Sequence, residues 1–274
     1  MDLAYPLHHH PCWSNSRINL WQRIHLPVAS SCNVKCAFCQ GGQASSCHTS
    51  APGSAQVLMS PEEALRRTLE EMDIRPSLHI VAISGPGEPL ANEESFVVFD
   101  EIRKIKPETH FCLSTNGLLL SQYAERIQQL GVETVSVSIS AIRPSTASLI
   151  YEWAMIDGKV LTGDHMGREI IKRQFKGVSD ASRLGIRIKV NTILTPGVNN
   201  SEITDLAKHL AMRGAAIQNI VPLVPNGNMK HLRPPSKIEL QRARVKASQH
   251  IPQFHHCHQC RSDVVGIPGT DTLL

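Results

Sequence analysis

The sequence predicts an α/β fold built from successive strand–helix units, and three observations carry that prediction. Short apolar or β-branched runs recur along the chain, each followed by a segment of helical pattern. The helical segments carry recognisable end signals. The loops of unusual composition all follow strands, which puts them on one face of the fold.

Arg23–Ala29 (RIHLPVA) reads as the first strand. Pro61–Met72 reads as a helix, with Ser60 as N-cap, Pro61 at the first helical position and Glu62 and Glu63 in the first turn. Leu78–Ser84 is a buried strand, and Glu94–Ile105 a helix that ends before Pro107. His110–Ser114 is a strand, and Ser121–Leu130 a helix closed by Gly131. Glu133–Ile139 alternates strictly and is β-branched, as a strand does. Ala141–Asp164 reads as a long insertion. Beyond it come a helix at Arg168–Leu184, a strand at Gly185–Leu194 and a helix at Ser201–Met212. A sixth strand at Ala216–Leu223 and a last helix at Ser236–Gln249 complete the set, with no internal repeat.

Consecutive units of this kind imply parallel strands with right-handed crossovers. Two architectures satisfy the pattern: an open doubly wound sheet and a partial β/α barrel. Both bind ligands at the C-terminal ends of their strands. The odd loops fall there: Cys32–Ser60, Gly85–Leu90 (GPGEPL), Ser114–Gly117 (STNG) and Pro196–Asn199 (PGVN).

The chain has 274 residues, 41% of them hydrophobic, and a formal net charge of +4, enough for one large domain or two average ones. No dense Lys/Arg block marks a nucleic-acid partner. No apolar run approaches the roughly 20 residues that span a bilayer, and Met1–Trp13 does not read as a signal peptide. A cytoplasmic location is expected. Eight cysteines in a chain of this size, three of them within eight residues, point to metal ligation in a reducing compartment rather than to disulfides.

Those three are Cys32, Cys36 and Cys39, spaced C-x3-C-x2-C directly after the first strand. Three thiolates on one tight loop can hold three irons of a [4Fe–4S] cube and leave the fourth open. A zinc site would want a fourth ligand from a paired motif, and none is adjacent. The loop, with Phe38 before its last Cys, resembles the signature of the radical SAM superfamily. The resemblance implies that the open iron chelates S-adenosylmethionine (SAM), which is then cleaved reductively to a 5′-deoxyadenosyl radical.

Gly85, Gly87 and Glu88 follow the second strand. Alone they read as a Gly/Pro turn. Beside the cysteine loop they resemble the superfamily's Gly-Gly-Glu element, which holds the SAM amino group. Ser114 and Asn116, after the third strand, and Asn191, within the fifth, stand where the superfamily contacts the SAM ribose and carboxylate. Asn-Gly is also a common turn.

Five cysteines remain. Cys112 in a strand reads as a small core residue, and Cys12 and Cys47 are uninformative alone. Cys257-x-x-Cys260, crowded by His255, His256 and His258, is metal-like or redox-like. The likeness then extends along nearly the whole chain. His10-Pro11-Cys12, Arg23–Ala29, the cysteine loop, Ser84–Asn92, Cys112–Leu118 and Ile150-Tyr151-Glu152-Trp153 all take part. So do Lys189–Asn199, Asn219–Pro225 and Cys257–Gly266. Together they resemble the NifB family of radical SAM proteins, which make the carbide-centred iron–sulfur precursor of the nitrogenase cofactor.

The resemblance implies a partial (β/α)6 radical SAM barrel. An N-terminal arm (1–22) and a C-terminal helix and Cys-rich tail (236–274) would close the mouth of the barrel (23–235), in a compact form without a C-terminal carrier-like domain. It implies two further [4Fe–4S] clusters. Cys12, Cys47 and Cys112, with His25 as a nitrogen ligand, would hold one, and Cys257 and Cys260 the other. On residues alone His25 reads as a packed strand-end histidine. One SAM would donate a methyl group and a second the radical, and the carbon would become the carbide of an [8Fe–9S–C] product. Iron–sulfur cluster donors, reductant proteins and a downstream cofactor carrier or scaffold would be the partners, with no nucleic acid, no membrane and no oligomeric state implied. Lys35, Arg143, Lys189 and Arg261 are the charges expected to position anionic clusters. Gln40–Ser45 and Ser138–Ile142 depart from the family's pattern. Two enzyme readings compete, a radical SAM enzyme that modifies a peptide or small molecule and a cluster-building paralogue serving a nitrogenase-like reductase. A third competitor is a non-catalytic iron–sulfur scaffold.

Overall fold

The computed structural model describes residues 7–39 and 52–274. β1 (Gln22–His25) is shorter than the expected strand. Its regular ladder ends before Pro27, which has no N–H to give, and the chain pairs again only at Ala29, in a bridge to Pro86. β2 (Val34–Cys36) lies inside the cysteine loop. The order then follows the expected alternation through α1 (Pro61–Ile74), β3 (Leu78–Ile83), α2 (Glu93–Ile105), β4 (His110–Thr115), α3 (Leu120–Gln129) and β5 (Val132–Ser138). Local chemistry sets these ends. Ser60 accepts from Glu63 N at 3.2 Å while the Glu63 carboxylate accepts from Ser60 N at 2.9 Å, a complete capping box. Gly131, at φ +79°, turns the chain out of α3 and into β5.

The region expected to be an insertion is structured. It forms α4 (Pro144–Ile150) and a hairpin of β6 (Tyr151–Ile156) and β7 (Lys159–Leu161). Asp157 and Gly158 turn the hairpin with positive φ at both positions, the geometry Asp-Gly favours. β6 also pairs antiparallel with β2, placing Val34 opposite Ala154 and Cys36 opposite Tyr151. The insertion is therefore the scaffold of the cysteine loop. α5 (Gly163–Arg183), β8 (Arg187–Leu194), α6 (Ile203–Ala211), β9 (Ile217–Pro222) and α7 (Lys237–Ala247) complete the alternation. Among the described residues no helix is long and apolar enough to cross a membrane.

In the large sheet β1, β3, β4, β5, β8 and β9 are neighbours in chain order, each pair parallel. A doubly wound sheet would reverse its order at a switch point. This one never does, which identifies a partial barrel of six units. β9 does not pair with β1, so the barrel stays open. The tail occupies that gap. Phe254 N donates to Gln218 O at the start of β9, and Gln259 Nε2 reaches Pro222 O at its end. The chain then crosses to β1 and descends as β10 (Val264–Gly266), antiparallel to it, with β11 (Thr272–Leu273) at the outer edge.

Strand residues alternate between two environments. Ile24, Val81, Leu113, Val135, Val190 and Ile220 belong to the main core under the helices. The intervening positions face the barrel interior: Arg23, His25, Cys112, Ser114, Ser136, Lys189, Asn191 and Asn219. Parallel strands covered on both faces are usually apolar on both. This interior is largely polar instead, with Ile80 and Ala82 packed against Cys112 as an apolar patch.

Candidate functional site

The cysteine loop is held by backbone. Besides the β2–β6 pairing, Ala37 N donates to Ile150 O at 2.8 Å and Cys39 N to Cys36 O at 3.0 Å, which curls the loop around its own centre. Lys35 Nζ donates to Cys39 O at 2.7 Å. Cys32, Cys36 and Cys39 are all free thiols. Burial pushes the Cys32 thiol up to about 11. It also raises Cys36, with Cys32 and Cys39 adding to the shift. Cys32, Cys36 and Cys39 therefore sit within electrostatic reach of one another, and burial opposes charge on the first two. Among the described residues no three His, Cys, Asp or Glu side chains converge as tightly as ligands to a single ion do. An all-sulfur donor set on one loop fits a cluster, whose thiolates bind different irons.

The Gly85–Glu88 loop does something the sequence reading did not anticipate. Its backbone is joined to the start of the cysteine loop. Gly87 N donates to Ala29 O at 2.7 Å and Glu88 N to Ser31 O at 2.8 Å. A Cβ on Gly87 would stand 2.1 Å from Ser31 O. The glycine permits this close approach of chain to chain. Gly85, at φ +149°, passes the carbonyl of Gly53 in the same way. Glu88 is buried, and its carboxylate accepts from Thr115 Oγ1, from Asn116 N at 2.6 Å and from Leu90 N at 3.1 Å. Burial nonetheless raises its pKa to about 7, against the pull of those three donors.

Asn116 carries the network onward. Its Nδ2 donates to Asn33 Oδ1 at 2.7 Å, inside the cysteine loop, and its carbonyl accepts from Gln174 Nε2 at 2.8 Å. Ser114, Ser136 and Lys189 share one register row across β4, β5 and β8, and Ser138, Asn191 and Asn219 share the next across β5, β8 and β9. Asn219 Nδ2 donates to Asn191 Oδ1 at 2.9 Å. Cys32, Glu88 and Asn116 thus follow the C-terminal ends of their strands, while Asn191 lies within β8.

A second group of thiols lies deeper. The arm enters from the N-terminal ends of the strands. There Trp21 stacks between His9 and His110, with ring centres 5.1 and 4.9 Å away. Beyond that plug Cys12 sits with Trp13, Ile217, Phe254 and Cys257 in one apolar cluster. Cys12 is within electrostatic reach of Cys112 and of Cys260. Burial pushes both of those thiols up to about 11, and Arg23 works against it in each case. Arg23 is buried and paired with Asp271. Cys260 O accepts from Gly53 N at 2.9 Å. His25 Nδ1 lies 2.9 Å from Arg261 O, which assigns the proton to Nδ1 and leaves Nε2 as the acceptor nitrogen. Burial, then Arg23, depress this imidazole to about 3, so it stays neutral, the form that binds metals. Cys47 lies outside the described residues.

Sequence reasoning missed Asn33, Arg23, His10 and Asn219. His10 is buried and its Nδ1 accepts from Cys12 N at 3.1 Å, which shapes the turn presenting that thiol. One signal was available: polar residues at every second position of strands whose other positions are apolar. Asn33 had none, because its partner is 83 residues away.

Residues 26–210 match the Radical SAM superfamily. The FeMo cofactor biosynthesis protein NifB of Methanocaldococcus infernus is 37% identical over 268 residues, spanning 97% of this chain and 87% of that protein. The protein of the same name from Methanocaldococcus jannaschii is 39% identical, spanning 94% and 86%. The one from Klebsiella pneumoniae is 36% identical and spans 96% of this chain but 57% of its own length. Among solved structures, SuiB of Streptococcus suis superposes with a TM-score of 0.62 at 13% identity, covering 86% of this chain and 50% of SuiB. Methylornithine synthase (PylB) superposes at 0.52 and 13% identity, covering 92% and 73%. At that identity the two structures speak for the fold alone.

Proposed function

Because this chain belongs to the radical SAM superfamily, and within it to the NifB family, we propose that it builds the carbide-centred precursor of the nitrogenase cofactor. Its substrates on this reading are two [4Fe–4S] clusters, fused with a SAM-derived carbon and one added sulfur into an [8Fe–9S–C] product. One observation supports this above the others: two separate thiol groups share one barrel interior, Cys32, Cys36 and Cys39 at the mouth and Cys12, Cys112 and Cys260 below.

Cys32, Cys36 and Cys39 would hold the resident cluster. Together with SAM, that cluster supplies one-electron cleavage of the sulfonium C–S bond. Glu88 would face the SAM ammonium. A carboxylate raised to about 7 by burial gains most from a cation brought beside it. Asn116 and Asn191, with Ser114, would orient the ribose and carboxylate. Cys12, Cys112 and Cys47, with His25 Nε2, would seat one substrate cluster, and Cys257 and Cys260 the other. Cluster donors, a reductant protein and an acceptor for the product would be the partners, in the cytoplasm.

The test is an anaerobic turnover with reductant and SAM labelled in its methyl carbon. S-adenosylhomocysteine and 5′-deoxyadenosine should both form, with the label in an extractable cluster. 5′-Deoxyadenosine without the other two would instead mark a peptide- or small-molecule-modifying enzyme. Neither product would leave a scaffold.

A further inference from the structure

Four cations were candidates to position anionic clusters, and the structure separates them by their partners. Arg143 is largely exposed and faces Glu202 at 3.6 Å. Arg261 is forked onto Asp263, with Nε to Oδ1 at 2.8 Å and Nη2 to Oδ2 at 2.7 Å. A fifth cation, Arg23, is neutralised by Asp271. Lys189 is different. It projects from the middle of β8 into the barrel and is 5% exposed. Among the described residues no carboxylate pairs with it. Its Nζ donates to Cys12 O at 3.1 Å and lies 5.9 and 5.5 Å from the ring centres of Trp13 and Phe254.

A neutral carbonyl and two ring faces compensate a desolvated ammonium only in part. Such a group is at home where an anion completes its surroundings. Its neighbours also define where that anion would sit. Cys12 and Trp13 belong to the arm and Phe254 to the tail, so one side chain grips both covering segments. Cys112, two strands away on β4, is within its electrostatic reach. Lys35 repeats the arrangement at the mouth, where its Nζ holds Cys39 O.

We propose that Lys189 is the counter-ion of an anionic iron–sulfur cluster seated on Cys12 and Cys112, and a positioning residue that fastens arm and tail around it. The inference rests on the reading that this chain takes clusters as substrates. Two thiolates neutralise an oxidised [4Fe–4S] core, and a third thiolate or a one-electron reduction makes the assembly anionic, so each step strengthens its attraction to the ammonium. Before loading, the lysine holds the Cys12 carbonyl and so keeps the thiol beside its site.

The experiment compares the full chain with Lys189→Gln and Lys189→Arg, loaded anaerobically with iron and sulfide. Iron is counted, and the deep cluster is followed by electron paramagnetic resonance and its midpoint potential. Lys189→Gln should retain the deep cluster about tenfold less well, the loss typical of an outer-sphere partner. What remains should have a lower potential, because a neighbouring positive charge favours the reduced form. Lys189→Arg should keep most of the occupancy and the potential. Unchanged occupancy and potential in Lys189→Gln would overturn the proposal. So would equal loss in both variants, which would mean shape rather than charge. The broader reading fails separately. If the parent holds the deep cluster but labelled SAM carbon never enters it, that reading falls while a charge-dependent loss still upholds Lys189.

Discussion

The mouth of the barrel and its depth hold similar residues by different means. At the mouth Cys32, Cys36 and Cys39 ride on a loop fixed by main-chain bonds: β2 to β6, Gly87 to Ala29 and Glu88 to Ser31. Below, Cys12 comes from an arm fixed largely by side chains, through the Trp21 stack and the Lys189 bond, while Cys260 lies in a tail that β10 pairs to β1 and the Arg23–Asp271 pair fastens. Main-chain pairing is insensitive to what fills the site, whereas side-chain clasps can loosen and reform. A resident cofactor suits the first arrangement, and a substrate that must enter and leave suits the second.

The largest effect should come from Cys36→Ser. Removing one of the three thiolates of the mouth should abolish 5′-deoxyadenosine formation. Iron bound by the deep thiols should persist, and simultaneous loss of both iron pools would erase the distinction between the regions. Gly87→Ala comes next. Its Cβ would overlap Ser31 O, so the two loops must part. A loss of about 3 kcal/mol in thermal or denaturant unfolding is expected, with SAM cleavage falling alongside it.

Glu88 adds a pH signature confined to the mouth. Its folded pKa is raised to about 7 by burial. Its stabilising contribution is therefore complete below the unfolded value near 4.5 and is lost as pH rises through 7. The span is on the order of 3 kcal/mol, at roughly 1.4 kcal/mol per pKa unit. Metal-free protein should lose stability across that window, and Glu88→Gln should flatten the slope. An equal slope in the variant would place the titration elsewhere. The smallest effect is expected at the other end. Trp21→Ala removes a half-buried ring stacked on His9 and His110, a loss of about 2 kcal/mol. It should free the arm and weaken deep-cluster loading while 5′-deoxyadenosine formation survives. Equal loss of both would show the two regions to be one unit.

The helix–strand order was legible because it depends on short-range physics. Ser60 and Glu63 cap α1 from three residues apart, and Gly131 ends α3 by its own conformational freedom. The cysteine loop was legible for the same reason, since three ligands within eight residues need no tertiary contact to be near one another. The hairpin at Asp157-Gly158 carried an equally local signal but was read as an insertion.

What only the tertiary structure decided lies at long range. The two architectures allowed by the strand pattern differ solely in neighbour order, and the unbroken order from β1 to β9 settles it. The tail's path up β9 and down β1 exists because six parallel strands leave a gap, and no property of residues 250–274 alone encodes that. Glu88 reads in sequence as an acid for a ligand. In the fold it also ties the loop after β3 to the loop after β4, because its acceptors meet donors 27 and 28 residues away. Lys189 is one basic residue in a strand until Cys12, Trp13 and Phe254 are brought round it. Local propensity sets the elements, while burial and pairing between distant segments set what each charged group is for.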